Sequence, residues 1–200
     1  MAVAIEFYFD FSSPYGYLAA QRIDDMAAEY DREVVWKPFL LGVAMKMTGM
    51  PPLLDMPMKG DYARRDIARS ARLFEIPFTL PKRFPFMSVA ACRAVCWLSE
   101  RDPESAKELT LALYHMAFGE GESISGAEEV AAVAAALDHD ETEVLNAVQN
   151  PRIKDLLKRE VDAAIKKGVF GSPYFILDGE PFWGYDRLED MELWLENGGW

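Results

Sequence analysis

Three short groups of residues in this sequence could form one chemical site. The first, Ser12-Ser13-Pro14-Tyr15, follows a segment in which apolar residues alternate. Serine is a favoured helix cap and proline is tolerated in the first helical turn, so the group predicts a helix start directly after a strand. Free N–H groups and the helix dipole favour an anion there. Ser13 has two open interpretations: it only caps the helix, or its hydroxyl also donates a hydrogen bond to a thiolate or oxyanion.

The other two groups lie near the end of the chain. Gly171-Ser172-Pro173-Tyr174 precedes a predicted strand, and the bond before Pro173 is a candidate for the cis form, which occurs in about 5% of such bonds. A cis bond would leave the N–H and C=O of Ser172 unpaired in the sheet, where they could pair with an extended peptide. In Trp183-Gly184-Tyr185-Asp186, the carboxylate of Asp186 can cap the last helix, receive a ligand ammonium, or do both.

The elements that must position these groups follow from hydrophobic periodicity. Residues 3–11 and 33–41 are predicted strands flanking a helix over 15–30, and parallel pairing is the favoured geometry for such a βαβ unit. Residues 174–183 are predicted to form a hairpin with a turn at Asp178-Gly179. A final helix over 186–195 completes the closing part of the chain.

The middle of the chain has a different character. Residues 42–61 contain three prolines and five of the ten methionines, and are predicted to be irregular. Well-punctuated helical segments follow, the last of them over 151–167. The two ends together form βαβ–ββα, which predicts an α/β thioredoxin-like fold with a large all-helical insertion. We expect residues 1–42 and 165–200 to form the thioredoxin-like domain and 43–164 the helical insertion domain.

Composition narrows the function classes. The chain has 200 residues, 50% of them hydrophobic, which is typical of a globular protein. A net charge of −12 argues against nucleic acid as a partner. No stretch approaches the roughly 18 apolar residues that a membrane span needs. The first ten residues contain no basic residue, so we expect neither a targeting signal nor a membrane association, and predict a cytoplasmic protein.

The remaining reactive side chains favour structural roles. Cys92 and Cys96 lie four residues apart in a helix-like stretch, which predicts buried, reduced thiols. His115 and His139 have no spacing typical of a metal site, and no metal is expected.

The opening Phe7–Tyr15 resembles the active-site opening of kappa-class glutathione transferases and bacterial 2-hydroxychromene-2-carboxylate isomerases. Val169–Pro173 and Trp183–Leu188 are similar to the other two signatures of that family, so the resemblance covers nearly the whole chain. It implies a thioredoxin fold whose helical insertion is similar to that of the disulfide oxidoreductase DsbA. The family's members are usually dimers, so the resemblance implies a homodimer.

The resemblance also implies residue roles. Ser13 would hydrogen-bond the sulfur of glutathione, the implied cofactor. The residues implied to bind glutathione are Ser172, Pro173, Trp183, Gly184, Tyr185, Asp186 and Lys59. Those implied to bind a small aromatic substrate are Lys46, Met50 and Phe84. Lys46 would hold the substrate carboxylate.

Two positions depart from the family's pattern, and the Ser13–Gly16 register differs from that of the oxidoreductases. The oxidoreductases carry Cys-x-x-Cys in the register of Ser13 and Gly16, so dithiol exchange by that pair is impossible here. Met50 stands where family members often have Asn, and Tyr185 where Ser or Asn is common. The methionines around Met50 could form an adaptable wall for a planar substrate or simply fill gaps.

Three functions stay open at this point. The first is a glutathione-dependent isomerase of an aromatic keto acid, of the 2-hydroxychromene-2-carboxylate type, which would serve aromatic catabolism. The second is a kappa-like transferase that conjugates electrophiles, and the third is a non-catalytic binding module.

Overall fold

A four-stranded mixed sheet joins the two ends of the chain. The computed structural model describes residues 3–200. Its strands are β1 (Ile5–Phe9), β2 (Val34–Pro38), β3 (Tyr174–Leu177) and β4 (Glu180–Trp183). The order is β2-β1-β3-β4, with β2 parallel to β1 and β3 antiparallel to both of its neighbours. The predicted βαβ opening and closing hairpin are confirmed, although β1 and β2 are shorter than predicted.

Helices cover the sheet and fill the middle of the chain. Their bounds are α1 (Pro14–Ala20), α2 (Ile23–Glu29), α3 (Leu41–Thr48), α4 (Lys59–Leu73), α5 (Val89–Ser99), α6 (Pro103–Tyr114), α7 (Ala127–Ala135), α8 (Glu141–Gln149), α9 (Pro151–Lys166) and α10 (Leu188–Asn197). A π-helical segment, His115–Glu120, continues α6. The predicted thioredoxin-like fold with a helical insertion is confirmed. The described residues contain no helix that is both long and apolar enough to cross a membrane.

Polar side chains cap the start of several insertion helices. Asp102 accepts hydrogen bonds from two N–H groups of α6, and Asp140 accepts one from Glu143 N at the start of α8. Asn150 caps α9 in the same way. These side chains satisfy N–H groups that the first helical turn leaves without partners.

Aromatic side chains connect the sheet to the insertion. In β1, the ring of Phe7 stacks on Phe175 of β3 at 5.2 Å between centroids. Phe9 and Phe11 pack against Tyr114 of α6 at 6.0 Å and 4.9 Å. All five of these phenylalanine and tyrosine side chains are fully buried. The end of β1 and the end of α6 therefore share one core.

Two predicted elements are wrong. The predicted helix over 15–30 is broken after Ala20, and Arg22 there places its guanidinium over the ring of Phe74, 3.9 Å from its centroid. No glycine or proline marks this break in the sequence. The predicted irregular segment 42–61 contains α3 and the start of α4, because its prolines lie between these two helices.

Asp186 does not cap the last helix, contrary to one of its two expected roles. A 3-10 turn, Tyr185–Arg187, precedes α10, which begins only at Leu188. The carboxylate of Asp186 instead accepts a hydrogen bond from Arg187 Nη2 at 2.8 Å. The neighbouring cation therefore occupies one carboxylate oxygen of Asp186.

Candidate active site

A tight turn after β1 is organised by a buried carboxylate. Asp10 is 1% exposed. One of its oxygens accepts from Ser12 N at 2.8 Å and from Ser12 Oγ at 2.9 Å. The other accepts from Leu41 N at the start of α3 at 2.5 Å. Burial raises the pKa of Asp10, while these hydrogen bonds oppose the rise. Asp10 thus ties the Ser12-Ser13 turn to α3.

Ser13 is the N-cap of α1, as predicted, and its hydroxyl has a second partner. Its Oγ accepts from Gly16 N at 3.0 Å and donates to the carbonyl oxygen of Ser172 at 2.6 Å. Ser13 is 5% exposed. A serine hydroxyl has only one proton, so this proton is committed to the Ser172 carbonyl.

The Ser172–Pro173 peptide bond is cis, as predicted. The sheet pairing of β3 begins at Tyr174, so Ser172 lies outside it, and the Ser172 carbonyl instead accepts the Ser13 hydroxyl. The Ser172 side chain accepts a hydrogen bond from Asp10 N at 2.9 Å. The first and second groups of site residues are therefore linked through both the backbone and the side chain of Ser172.

A cleft of about 1000 Å³ opens above this hydrogen-bonded floor. Ten of the eleven predicted site residues line it: Ser13, Met50, Lys59, Phe84, Ser172, Pro173, Trp183, Gly184, Tyr185 and Asp186. Lys46 does not. Helix α3 contributes Leu41, Gly42, Val43, Met45 and Thr48 to the lining, whereas Lys46 is exposed and lies outside it.

One half of the cleft is apolar. Its walls come from α3, the segment 50–56 and the segment 84–89. Methionines contribute heavily, and the lining members are Met45, Met50, Met56 and Met87. Phe84 is backed by Phe118 of the π-helical segment at 6.0 Å between ring centroids. This half can accept a flat, apolar group.

The opposite wall contains contacts that sequence reasoning missed. Tyr185 stacks on Tyr15 with centroids 5.3 Å apart and ring planes 10° apart. The Tyr15 hydroxyl donates to Asp66 of α4 at 2.9 Å, and the Tyr185 hydroxyl pairs with Ser70 of the same helix. These partners lie 51 and 115 positions apart in the chain, so no local pattern signals them.

Ion pairing leaves one cation of the cleft lining available. Arg187 pairs with Asp186 at 2.8 Å and with Asp190 at 2.5 Å. Lys59 makes no ion pair with any of residues 3–200, and it is exposed at the start of α4. An anionic group of a ligand in the cleft would therefore find Lys59 unoccupied.

Both cysteines lie on α5 and face the protein core. Cys92 and Cys96 are free thiols and both are buried. Burial raises the pKa of Cys96 to about 12 and that of Cys92 well above its ordinary value. Among residues 3–200, no group of three or more His, Cys, Asp or Glu side chains could hold a metal ion. A reactive sulfur in this cleft would have to come from a ligand.

Comparison with known proteins agrees with this architecture. The chain is 29% identical over 197 residues to 2-hydroxychromene-2-carboxylate isomerase of Sphingobium xenophagum, covering 98% of this chain and 99% of the relative. It is 29% identical over 204 residues to glutathione S-transferase kappa 2 of Caenorhabditis elegans, covering 96% and 91%. The solved structure of a 2-hydroxychromene-2-carboxylate isomerase superposes with a TM-score of 0.88 at 27% identity, covering 98% of this chain and 95% of that one.

These relatives are isomerases and glutathione transferases, and the chain is accordingly an enzyme. The model of the DSBA-like thioredoxin domain matches residues 4–196, nearly the full length. The chain therefore belongs to the DSBA-like thioredoxin domain family.

Proposed function

We propose that this enzyme is a glutathione-dependent isomerase of an aromatic keto acid, of the 2-hydroxychromene-2-carboxylate type. The observation that carries the proposal is the buried Ser13 hydroxyl, which lies in the floor of the cleft and bonds the carbonyl of Ser172. Three of the similar proteins are isomerases of this name, and four are kappa-class glutathione transferases.

Glutathione binding would rearrange this one hydrogen bond. An extended peptide lying beside the cis-proline loop can donate its cysteinyl N–H to the Ser172 carbonyl, in the manner of an added strand. The Ser13 hydroxyl is then free to turn toward the sulfur. Asp186, with one oxygen on Arg187, has its other oxygen for the γ-glutamyl ammonium, and Lys59 can take a glutathione carboxylate.

The expected lowering of the glutathione thiol pKa follows from moving the Ser13 hydrogen bond to the sulfur. An ordinary thiol has a pKa near 8.5, and lowering it by two units requires about 2.7 kcal/mol of preference for the thiolate. A hydrogen bond to a charged acceptor contributes about 1.5–3 kcal/mol. Because α1 has only seven residues, its dipole adds little. The Ser13 hydroxyl must therefore supply most of the stabilisation.

The isomerisation needs no sulfur from the protein. The hemiketal ring of 2-hydroxychromene-2-carboxylate first opens: its ring C–O bond breaks, the 2-hydroxyl becomes the keto group, and its proton passes to the phenol oxygen. The thiolate then adds to the activated double bond of this keto acid, forming a C–S bond while the π electron pair moves to the conjugated carbonyl. The former double bond is now single and rotates. The electron pair then returns, the double bond re-forms and the thiolate leaves unchanged. The apolar half of the cleft would hold the aromatic ring during this rotation.

The proposal is tested with the Ser13→Ala variant. The pKa of bound glutathione thiol should rise by about one to two units, because the donor worth about 1.5–3 kcal/mol is lost. Interconversion of 2-hydroxychromene-2-carboxylate and trans-o-hydroxybenzylidenepyruvate should slow by about ten- to a hundredfold.

The matched control is Ser99→Ala. Ser99 also donates to a backbone carbonyl, that of Val95 at 2.8 Å, but it lies in α5 outside the cleft lining. This variant should keep both the thiol pKa and the turnover of the wild type. Full turnover with an unchanged thiol pKa in Ser13→Ala would overturn the role of Ser13, and a lack of glutathione binding by calorimetry would overturn the whole proposal.

The position of Lys46 favours a second candidate, a kappa-like transferase. With Lys46 outside the cleft lining and Lys59 engaged by glutathione, the residues within 3–200 that line the apolar half include no cation for a substrate carboxylate. A neutral electrophile fits such a surface better than an anionic acid. Incubation with glutathione and each substrate separates the two: a transferase consumes glutathione in proportion to product, whereas an isomerase leaves its concentration constant.

A further inference from the structure

We infer that Tyr114, at the end of α6 in the helical insertion, is a positioning residue that holds the Ser13 hydroxyl in register with the bound thiolate. This inference rests on the proposed use of glutathione. It assigns to the insertion a part in the thiolate site itself, in addition to the substrate walls.

The Tyr114 hydroxyl lies directly beneath the Ser13 turn. The side chain is fully buried, and its hydroxyl donates to the carbonyl oxygen of Asp10 at 2.9 Å. The same carbonyl accepts from Ser13 N at 2.9 Å. Tyr114 is therefore one hydrogen bond away from the backbone of Ser13.

A second route reaches Ser13 through the cis-proline loop. A Cβ placed on Gly16 would lie 2.5 Å from Tyr114 Oη and 2.9 Å from Ser172 Oγ, so these two hydroxyls converge on one point. Ser172 Oγ accepts from Asp10 N, and the Ser172 carbonyl accepts from Ser13 Oγ. Tyr114 Oη thus bonds the Asp10 carbonyl and lies beside Gly16, which Ser172 Oγ also approaches.

The positioning of Ser13 depends on the hydroxyl of Tyr114 and not on its ring. The ring fills core space beside Phe9 and Phe11, which a phenylalanine would fill equally well. The buried Asp10 carbonyl oxygen accepts from both Ser13 N and the Tyr114 hydroxyl, so removing the hydroxyl takes away one of its two donors and loosens the turn. Burial, together with the charge of Asp10, raises the pKa of Tyr114 well above its ordinary value, so the hydroxyl remains a donor.

The Tyr114→Phe variant tests the inference. With the turn and the loop less constrained, the pKa of bound glutathione thiol should rise by about 0.5–1 unit, and kcat should fall about three- to tenfold. Binding of S-methylglutathione, which has no thiolate, should change less than about twofold, because the peptide contacts are retained.

Tyr17→Phe is the matched control. Tyr17 is also buried, lies in the same aromatic cluster at 6.0 Å from Tyr114, and donates to the Pro77 carbonyl at 2.8 Å. Its loss should lower stability without changing the thiol pKa. A general loosening of the core would instead shift the thiol pKa in both variants, which would overturn the inference.

A double variant asks whether Tyr114 acts through Ser13. In the Ser13→Ala background, Tyr114→Phe should leave the thiol pKa unchanged, because the hydroxyl that it positions is absent. An equal shift in both backgrounds would overturn the inference, as would an unchanged pKa in Tyr114→Phe alone, and both results leave the proposed function intact. If the wild-type protein does not bind glutathione as its thiolate, both the proposed function and this inference are overturned.

Discussion

Replacing Gly16 by alanine adds one methyl group at the most crowded point beneath Ser13. Its Cβ would lie 2.5 Å from Tyr114 Oη, 2.9 Å from Ser172 Oγ and 3.2 Å from Ser13 Cβ. Alanine in a helix interior is ordinarily favoured over glycine by about 1 kcal/mol. Overpacking a buried site costs about 1–3 kcal/mol. We therefore expect a net loss of about 1 kcal/mol in the free energy of unfolding, together with weaker glutathione binding.

Urea unfolding measures the change, and Gly42→Ala is its control. Gly42 lies in α3, where an added Cβ meets nothing within 4 Å. That substitution should raise the free energy of unfolding by about 0.5–1 kcal/mol, because alanine lowers the entropy of the unfolded chain and adds no clash in the folded protein. The two glycine-to-alanine changes should thus have opposite signs.

Tyr114→Phe in the Gly16→Ala background sharpens the test. Removing the hydroxyl oxygen eliminates the shortest of the three contacts, so the double variant should be more stable than the sum of the single changes predicts. The reasoning is refuted if Gly16→Ala stabilises the protein as much as Gly42→Ala does, with glutathione binding unchanged.

Three further outcomes are expected. A thiol reagent should label neither Cys92 nor Cys96 in the folded protein and both after denaturation, because burial raises the pKa of both thiols; rapid labelling of native protein would contradict their placement. Burial acts to raise the pKa of Glu6, but hydrogen bonds, including one from Lys167, outweigh it and leave the pKa below its ordinary value. The Lys167→Met variant should therefore lose about 0.5 kcal/mol of stability at neutral pH. That difference should be present above pH 4.5 and vanish as the pH falls through the folded pKa of Glu6, as followed by urea unfolding; a difference that persists in acid would argue against the pair. Asp186→Asn should weaken glutathione binding about two- to fivefold in calorimetry without changing the thiol pKa, and unaltered affinity would remove Asp186 from the ammonium site.

Much of the fold was predictable because its signals are local. The Asp178-Gly179 turn and the caps Asp102 and Asp140 mark element boundaries within a few residues of sequence. Three of the site's anchor points, Ser13, Pro173 and Asp186, stand at such boundaries. Their convergence on one cleft followed from the thioredoxin arrangement that the order of elements predicts.

The missed features depend on distant contacts. Lys46 was expected at the substrate from the family resemblance alone, and the cleft lining includes its neighbour Met45 but not Lys46. The hydrogen bond from Tyr114 to Asp10 joins residues 104 positions apart. A single sequence contains no periodicity that reports such a pairing.

The occupied carbonyl of Ser172 has a consequence for selectivity among sulfur compounds. Under the proposed mechanism, the Ser13 proton is released only when another donor takes its place on that oxygen. A simple thiol such as ethanethiol has no N–H or O–H group with which to make this exchange, so it would not be activated in the cleft however abundant it is. The Ser13 hydroxyl would in this way donate its hydrogen bond only to the sulfur of a ligand that also has a peptide backbone.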